Sequence, residues 1–361
     1  MKTPYLLLRA AAWPGLPRRN RRRAAFDPAH VQRIWVHKPD HLGDALLARP
    51  ALFALHAAFP RAELRVACDP AAAPLLALDR IAAPEPWASP FLGGDGRLRD
   101  YRRRVRAWAP DLIVNLRHDV RDILLCARLG APYLATYDHR GLAASATHPA
   151  PPPLPDRPEA DNHLALLAAT LSVSPLTPPP LTPPDDARRT AEQAWREFER
   201  DGPRIVLHAA ARTPAKTWPL AHWRTLIELL AASGAPRLAL IGERSDSEIN
   251  REIARGLPHV SDWTGRFDLP ETAAIIQAAE LFVGVDSGPG HLAHAVGAPL
   301  VSIMSGANDT RRWAPASSRA LSFLVTCAPC SREMCPVAGH PCLRNIEPDR
   351  VARAAAEVLG A

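Results

Sequence analysis

The sequence predicts an α/β protein made of two successive halves, each built around a parallel sheet. Strand-like apolar runs alternate with helix-like runs in both halves, which is typical of βαβ units. A proline-rich segment separates the halves, and 361 residues of which 47% are hydrophobic are enough for two cores. We therefore expect two Rossmann-like domains with a cleft between them.

The first half, residues 33–175, contains the strand–helix alternation that supports this prediction. Buried strands are predicted at "RIWVHKP" (33–39), "AELRVAC" (62–68) and "PDLIVNL" (110–116). A helix is predicted over "ALLARPALFALHAAF" (45–59), between the first two strands. Because successive strands joined by a helix lie parallel, this half should form one open sheet.

Residues 176–186, at the end of "SPLTPPPLTPPDD", are predicted to be a linker, since proline fixes φ and lacks a backbone N–H. The second domain, residues 187–346, restarts the alternation with strands at "RIVLHAA" (204–210) and "LFVGVDSG" (281–288). The last segment, 347–361, is predicted to be a terminal helix.

The charge balance indicates an anionic partner, because the formal charge is +7 and the pI is about 9.4. The strongest basic cluster, "RRNRRR" at Arg18–Arg23, lies in an N-terminal arm of residues 1–32. It is either a solvated tail or a contact with an anionic membrane surface. Nucleic acid is not expected, since we find no recognisable DNA- or RNA-binding signature.

Location is predicted from the apolar pattern. No apolar run is long enough to span a bilayer, and the first residues make a poor signal peptide because a basic cluster stands where cleavage should occur. We expect a cytoplasmic protein. Peripheral association with the inner face of the cytoplasmic membrane is compatible with this location.

The turn after the run "LFVGV" is the first candidate site. The chain passes through Asp286 and Ser287 into a helix-like run that includes His291. Gly288 and Gly290 allow the backbone to approach a ligand, and the N-terminus of a helix favours a phosphate. Asp286 would either cap the helix or bind ribose hydroxyls. The alternative is a plain strand–turn–helix without a ligand.

Two further segments carry polar residues after predicted strands. In "HKPDHLGDALLARP" (37–50), Gly43 permits close approach and Asp44 falls in the first helical turn, where a carboxylate is also common without any function. In "HAAARTPAKTWPLAHW" (208–223), Arg212 and Lys216 are cations at the end of a strand, and either one alone could simply be solvated.

Together, "LGD", "K-x-W-P" and "D-S-G-P-G-H-L-A-x-A" resemble, in this order, the heptosyltransferases of glycosyltransferase family 9. The resemblance covers residues from about 33 to the C-terminus. It implies a GT-B fold, in which two Rossmann-like domains face each other. It also implies transfer of a heptose from an ADP-activated donor to a growing lipopolysaccharide core, with inversion. Because Lys216 and the N–H groups at Ser287 and Gly288 would stabilise the leaving diphosphate, we expect no metal to be required for chemistry. One departure is "AAARTPA" (209–215), where well-known members are rich in threonine and aspartate.

The resemblance also implies roles for individual residues. Asp44 matches the family's general base, on the acceptor side with Gly43, and Lys216 matches the lysine that contacts the donor phosphates. The family's donor-binding turn is matched by Asp286, Ser287, Gly288 and His291. To this donor set the residues themselves add Arg212 and Glu243, which follows "LALIG" where a carboxylate could meet ribose hydroxyls.

Other functions stay open at this point. A family member could use another nucleotide sugar or a protein acceptor, and a catalytically silent sugar-nucleotide-binding protein would keep the same turn. An NAD-dependent dehydrogenase is disfavoured, because "VHKPDHLGD" (36–44) lacks the G-x-G-x-x-G pattern.

A cysteine-rich segment, "CAPCSREMCPVAGHPC" (327–342), follows the last predicted strand. Thiols in the cytoplasm stay reduced, and four of them suit a tetrahedral zinc or iron site. The alternative is a loop of free, partly packed cysteines. Some relatives that glycosylate proteins carry a cysteine-bound iron, so the resemblance is compatible with a structural metal here. The candidate ligands are Cys327, Cys330, Cys335 and Cys342.

Overall fold

The computed structural model describes residues 26–139, 141–199, 201–234 and 236–360. The cluster Arg18–Arg23 lies outside the described residues. The chain divides into two compact units. The first unit comprises the residues up to His41, Leu47–Leu154 and Ala160–Pro178, and the second comprises Leu42–Leu46, Pro155–Glu159 and Pro179–Ala361.

The first unit contains a six-stranded parallel sheet with strand order β3-β2-β1-β4-β5-β6. Its central strands β1 and β4 are almost wholly buried, as expected of strands covered on both faces. The strand order reverses between β1 and β4, so their carboxyl ends form the switch point at which such sheets bind ligands. The strands are β1 Arg33–His37, β2 Glu63–Cys68, β3 Ala83–Pro86, β4 Leu112–Asn115, β5 Tyr133–Tyr137 and β6 His148–Ala150.

The helix predicted over residues 45–59 is instead two helices, α1 (Leu42–Leu46) and α2 (Arg49–Ala58). Pro50 lies in the first turn of α2 and has no N–H, so a continuous helix cannot form its hydrogen bond there. The helices that follow are α3 Ala73–Leu78, α4 Leu98–Trp108, α5 Val120–Ala127 and α6 Glu159–Leu171.

The second unit also contains a six-stranded parallel sheet, with strand order β12-β11-β10-β7-β8-β9. Here the order reverses between β7 and β10, and Gly284 of β10 pairs with His208 at the end of β7. The residues that follow these two strands therefore meet at one edge of the sheet. The strands are β7 Arg204–His208, β8 Arg237–Leu240, β9 Val260–Asp262, β10 Leu281–Val285, β11 Leu300–Ile303 and β12 Arg319–Leu321.

Helices of the second unit cover this sheet, and the last of them, Pro348–Leu359, lies within the segment predicted as a terminal helix. Residues 172–184, which include most of the predicted linker, form neither helix nor strand. Among the described residues, we find no helix with the length and apolar character needed to cross a membrane. The helices are α7 Asp185–Trp195, α8 Leu220–Ala232, α9 Ser247–Ala254, α10 Leu269–Gln277, α11 Gly288–Val296, α12 Thr310–Trp313, α13 Pro341–Arg344 and α14 Pro348–Leu359.

The two parallel sheets with their helices confirm the α/β class and the two Rossmann-like units predicted from the sequence.

Candidate functional site

The N-terminus of α11 follows β10 directly, with Ser287 as the N-cap residue. The Ser287 hydroxyl makes no capping bond to the helix; it lies 3.1 Å from Val285 O and 3.1 Å from Nδ1 of His208. A hydroxyl has a single proton, so both contacts are satisfied when it donates to Val285 O and accepts from His208 Nδ1–H. The start of α11 thus keeps its favourable field for an anion.

The Asp286 carboxylate lies beside this helix start but does not cap it. Its Oδ2 atom lies 2.9 Å from Nζ of Lys216 and accepts a 2.8 Å hydrogen bond from Nδ2 of Asn308. Asp286 is buried, whereas the Lys216 side chain is 23% exposed. An ammonium group has three protons and Asp286 takes one, so Lys216 retains donors for a second anionic group.

Two buried histidines flank the same turn. Burial lowers the pKa of His208 to about 4, against the opposing charge of Asp246. Burial likewise lowers the pKa of His291 to about 4, although Asp286 works to raise it. Both imidazoles are therefore neutral near pH 7.

Nδ1 of His291 is buried without a hydrogen-bond partner among the described residues. Buried polar atoms in native proteins are normally paired, so an unpaired one in the first turn of a helix is a natural contact point for a ligand.

Helix α1 packs closely against α11 within the second unit, and two glycines make this possible. A Cβ atom on Gly43 would lie 2.7 Å from Cδ2 of His291, and one on Gly288 would lie 3.2 Å from a methyl carbon of Leu42. Any larger residue at Gly43 would displace the His291 ring. The structure therefore brings the "LGD" motif, with Asp44 half-buried in α1, to the start of α11.

The match to known families covers most of the chain. Residues 98–340 match the family model described as "Glycosyltransferase family 9 (heptosyltransferase)". The chain belongs to glycosyltransferase family 9. The family resemblance predicted from the three motifs is thereby confirmed.

Curated relatives of this family 9 protein align over shorter segments. The protein is 37% identical over 122 residues to "Lipopolysaccharide heptosyltransferase 3" of Escherichia coli, a segment that covers 33% of this chain. The aligned segment spans only 36% of the length of that relative.

Solved structures of the family match the fold over nearly the whole chain. A family 9 glycosyltransferase from Veillonella parvula DSM 2008 has a TM-score of 0.75 and 20% identity, covering 92% of this chain and 98% of that one. The structure of the E. coli ADP-heptose lps heptosyltransferase II has a TM-score of 0.73 and 22% identity, covering 91% of this chain and 98% of that one. At these identities the likeness establishes the fold.

The remaining donor-side candidates of this family 9 protein lie at the carboxyl ends of neighbouring strands. Arg212 is exposed after β7, four residues before Lys216. Glu243 is exposed after β8, and its backbone N–H donates to Asp246 at 2.8 Å. In the "K-x-W-P" motif, the buried Trp218 donates from Nε1 to Ile346 O at 2.9 Å, so it anchors the segment rather than binding a ligand.

Sequence reasoning missed Asn308, which orients Asp286. The available signal was its position: it follows β11, the neighbour of β10, so it had to lie near the end of β10. A single polar residue in a loop gave no reason to select it.

A second polar cluster, also missed, lies in the first unit at the carboxyl ends of β1 and β4. Arg117 donates from Nε to Asp122 at 2.6 Å and also forms an ion pair with Asp40. Asp40 in turn lies 2.7 Å from Nζ of Lys38. The four side chains are at most 12% exposed, and the two positive charges of Lys38 and Arg117 balance the two negative charges of Asp40 and Asp122.

His37 extends this cluster into the core. Its Nε2 lies 2.9 Å from Asp122, and its Nδ1 lies 2.6 Å from the hydroxyl of Tyr101, which accepts from Nε1 of Trp35 at 2.8 Å. Burial works to raise the pKa of the Asp122 carboxyl, but the contacts with His37 and Arg117 lower it below its ordinary value. The partners are some eighty residues apart in the chain, so no local motif could reveal the cluster.

The four cysteines of the segment 327–342 line one cavity together with Ala215 and Gly306. All of them are free thiols, and burial raises the pKa of Cys342. In the described part of the chain, no three His, Cys, Asp or Glu side chains are arranged to hold a metal ion. The thiols thus share a cavity without forming a ligand set.

This cysteine-rich loop is hydrogen-bonded to the segments that lead to Asn308 and Lys216. Its backbone N–H groups at Cys330 and Ser331 each donate at 2.9 Å, to Gly306 O and Ala307 O. The N–H of Ala215 donates to Glu333 O at 3.0 Å. The loop therefore supports the residues immediately before Asn308 and Lys216.

Proposed function

We propose that this protein transfers a heptose from ADP-heptose to an acceptor of the lipopolysaccharide-core type, with inversion at the anomeric carbon. The observation that carries the proposal is the arrangement of Lys216, Asp286 and Asn308 at the switch point of the second sheet, beside the start of α11. A cation and a helix N-terminus at this edge suit the diphosphate of a nucleotide sugar. Family membership and the names of the curated relatives support heptose transfer and a lipopolysaccharide acceptor, and the name of a structural relative, the E. coli ADP-heptose lps heptosyltransferase II, supports ADP-heptose as the donor.

In the proposed reaction an acceptor hydroxyl attacks the anomeric carbon while the bond to the diphosphate breaks. Asp44 takes the proton of the hydroxyl as general base. ADP leaves with the electron pair, and Lys216 with the N–H groups at Ser287 and Gly288 offsets its growing negative charge. The protein supplies these groups itself, so the step requires no metal.

The other candidates fit around the donor in this proposal. His291 uses its unpaired Nδ1 to bind an oxygen of the donor. Asp286 accepts a hydrogen bond from a hydroxyl of the donor, while Lys216 balances the charge of the Asp286 carboxylate. Glu243 meets the ribose hydroxyls, and Arg212 adds positive charge near the phosphates. Gly43 keeps α1, and with it Asp44, against the donor turn.

The proposal places the enzyme in the cytoplasm at the inner membrane face, where a glycolipid acceptor is available. The arm with Arg18–Arg23 would bind anionic lipid there. The proposal also includes a structural zinc or iron ion at the cysteine-rich loop. Four thiols are the right ligand type, and they already line one cavity. Binding would require them to draw together, and the metal would hold the loop without entering the chemistry.

A panel of nucleotide sugars tests the function. Thermal shift reports binding, and release of ADP or UDP with a heptose-deficient lipopolysaccharide acceptor reports transfer. We expect ADP and ADP-heptose to stabilise the protein, and ADP release to depend on the acceptor. Preference for a UDP sugar or transfer only to protein would replace the proposed substrate. Binding without any turnover would identify a silent sugar-nucleotide-binding protein.

A further inference from the structure

The exposed face of α4 in the first unit carries an unusual concentration of positive charge. Between residues 97 and 108 the chain has six arginines and one acidic residue, Asp100. Arg99 and Arg103 are 81% and 78% exposed, and both contact Asp100, at 4.0 and 3.3 Å. Arg104 also lies 3.7 Å from Glu85, so two carboxylates face the exposed arginines and leave them with a net positive charge. The exposed arginines are Arg97, Arg99, Arg103, Arg104 and Arg106.

The opposite face of α4 is anchored in the core, which fixes the position of the helix that carries the arginines. Tyr101 and Val105 are fully buried, and the Tyr101 hydroxyl accepts from Trp35 within the cluster around His37. At the end of the helix, Arg106 donates to Arg128 O at 2.6 Å, and Trp108 O accepts from Arg33 at 2.8 Å. The basic face thus lies on a rigid support.

This arrangement works against the stability of the isolated helix. Arg99 and Arg103 are four residues apart, as are Arg102 and Arg106, and like charges at this spacing repel each other. A surface helix of the second unit shows the usual alternative: α7 carries Arg188 and Arg189 together with Asp185, Asp186 and Glu192. An external negative surface would relieve the repulsion on α4.

From these observations we infer that the arginine face of α4 is a docking surface for an anionic phospholipid bilayer. The line from Arg99 to Arg106 runs about 10 Å along a convex, exposed helix, which suits a flat array of headgroups better than one small anion. Single-stranded nucleic acid would need exposed aromatic rings for stacking. The aromatic residues of α4 are the buried Tyr101 and the half-buried Trp108, whose ring faces Arg65.

Vesicle co-sedimentation without nucleotide or acceptor tests this surface, so its outcome does not depend on the proposed function. The test variant is Arg97→Gln/Arg99→Gln/Arg103→Gln. The matched control, Arg188→Gln/Arg189→Gln/Arg196→Gln, removes the same charge from exposed positions of the second unit. Both are made in the full chain and in a chain whose arm arginines 18, 19, 21, 22 and 23 are Gln, so that the arm cannot hide the effect.

We expect the α4 variant to lose partitioning onto phosphatidylcholine–phosphatidylglycerol vesicles by about tenfold or more at low salt. The control should change little, and vesicles of phosphatidylcholine alone should bind neither protein. An Arg97→Lys/Arg99→Lys/Arg103→Lys variant should keep most of the binding, because the charges remain. Unchanged circular dichroism and melting temperature verify the fold.

Three results would overturn the inference. The α4 variant could bind as well as the parent in both backgrounds. The two Gln variants could lose binding equally, which would leave net charge alone as the cause. Finally, an RNA duplex could displace the protein from vesicles at concentrations far below the lipid, which would assign the face to nucleic acid.

Discussion

At the scale of single residues, one carboxylate oxygen of Asp286 accepts hydrogen bonds from two side chains, Lys216 and Asn308. Loss of the two donors should have different effects, because only Lys216 carries a charge. Lys216 supplies the charge and Asn308 holds the carboxylate in place, at 2.9 and 2.8 Å. Without Lys216, the buried Asp286 would face an incoming diphosphate with no countercharge. The ion pair therefore explains how an aspartate can lie in a site proposed to bind phosphate.

We predict that Lys216→Ala weakens ADP binding and lowers turnover, each by about tenfold to one hundredfold, the usual effect of losing one charged hydrogen bond. Isothermal titration with ADP and initial rates of ADP release measure the two effects. Arg319→Ala, an exposed cation of the same unit paired with Glu357, is the control and should leave both unchanged. Equal ADP affinity in the Lys216 variant and the parent would exclude Lys216 from the site.

For Asp44 we predict a different pattern. Asp44→Asn should lower transfer by roughly two to four orders of magnitude, the scale of a general base, while ADP binding stays within about twofold. The exposed Asp95→Asn serves as the control for loss of one carboxylate. Turnover of the Asp44 variant near that of the parent would contradict its role as the base.

At the scale of elements, the cysteine-rich loop connects two strand ends of the second sheet. It bonds to Gly306 and Ala307 after β11, and to Ala215 after β7. Distortion of the loop should therefore reach Lys216 and Asn308, although neither residue belongs to it.

Metal analysis of protein purified without chelator tests the structural site. We predict about one zinc or iron per chain, since four thiolates complete a tetrahedral site. The variant Cys330→Ser/Cys335→Ser should lose the metal, melt at a lower temperature and bind ADP more weakly. Cys68→Ser, at a buried cysteine of the first sheet, is the control and should retain the metal. Metal-free parent protein with four reactive thiols in this segment would refute the site.

The charged cluster at the ends of β1 and β4 has a testable energetic consequence. Arg117→Met removes the common partner of Asp40 and Asp122, so Asp40 keeps only Lys38 and Asp122 keeps only His37 as a buried partner. We predict a loss of about 3 kcal/mol in the free energy of unfolding, measured by urea denaturation. The exposed Arg103→Met is the control for the substitution itself. A loss below about 1 kcal/mol would show that the cluster is solvated or rearranges freely.

At the scale of the whole molecule, the buried histidines link stability to pH. His208 and His291 have pKa values of about 4 in the folded protein, against about 6.5 in an unfolded chain. Between these values the unfolded chain binds more protons, so stability is complete above pH 6.5 and falls as pH is lowered towards 4. Each histidine accounts for at most about 3 kcal/mol of this loss.

We predict that the free energy of unfolding decreases measurably between pH 6.5 and 5, before most carboxylates titrate. His291→Gln should reduce the slope of stability against pH over this range, whatever its effect on stability at pH 7. His56→Gln, at an exposed position, is the control for replacing a histidine by glutamine. The same slope in the His291 variant and the parent would contradict the burial effect.

Residues that are close in the chain could be placed from the sequence. The alternation of strands and helices gave the two units, and the spacing within "DSGPGH" placed Asp286, Ser287 and His291 at a strand end followed by a helix. The break between α1 and α2 was missed, because the apolar pattern around Pro50 suggested a continuous helix. Asn308 and Arg117 were missed because their importance depends on partners from other strands.

The sequence by itself determined the fold class and the family, since periodicity and short motifs depend on neighbours along the chain. Only the tertiary structure showed that Asp286 is paired with Lys216 and Asn308, that Gly43 lies against His291, and that the cysteine-rich loop is hydrogen-bonded to Ala215, Gly306 and Ala307. It also revealed the arginine face of α4, because exposure of a side chain depends on what the rest of the fold covers. Burial and pairing set the charge state of a group, and both arise when distant segments of the chain meet.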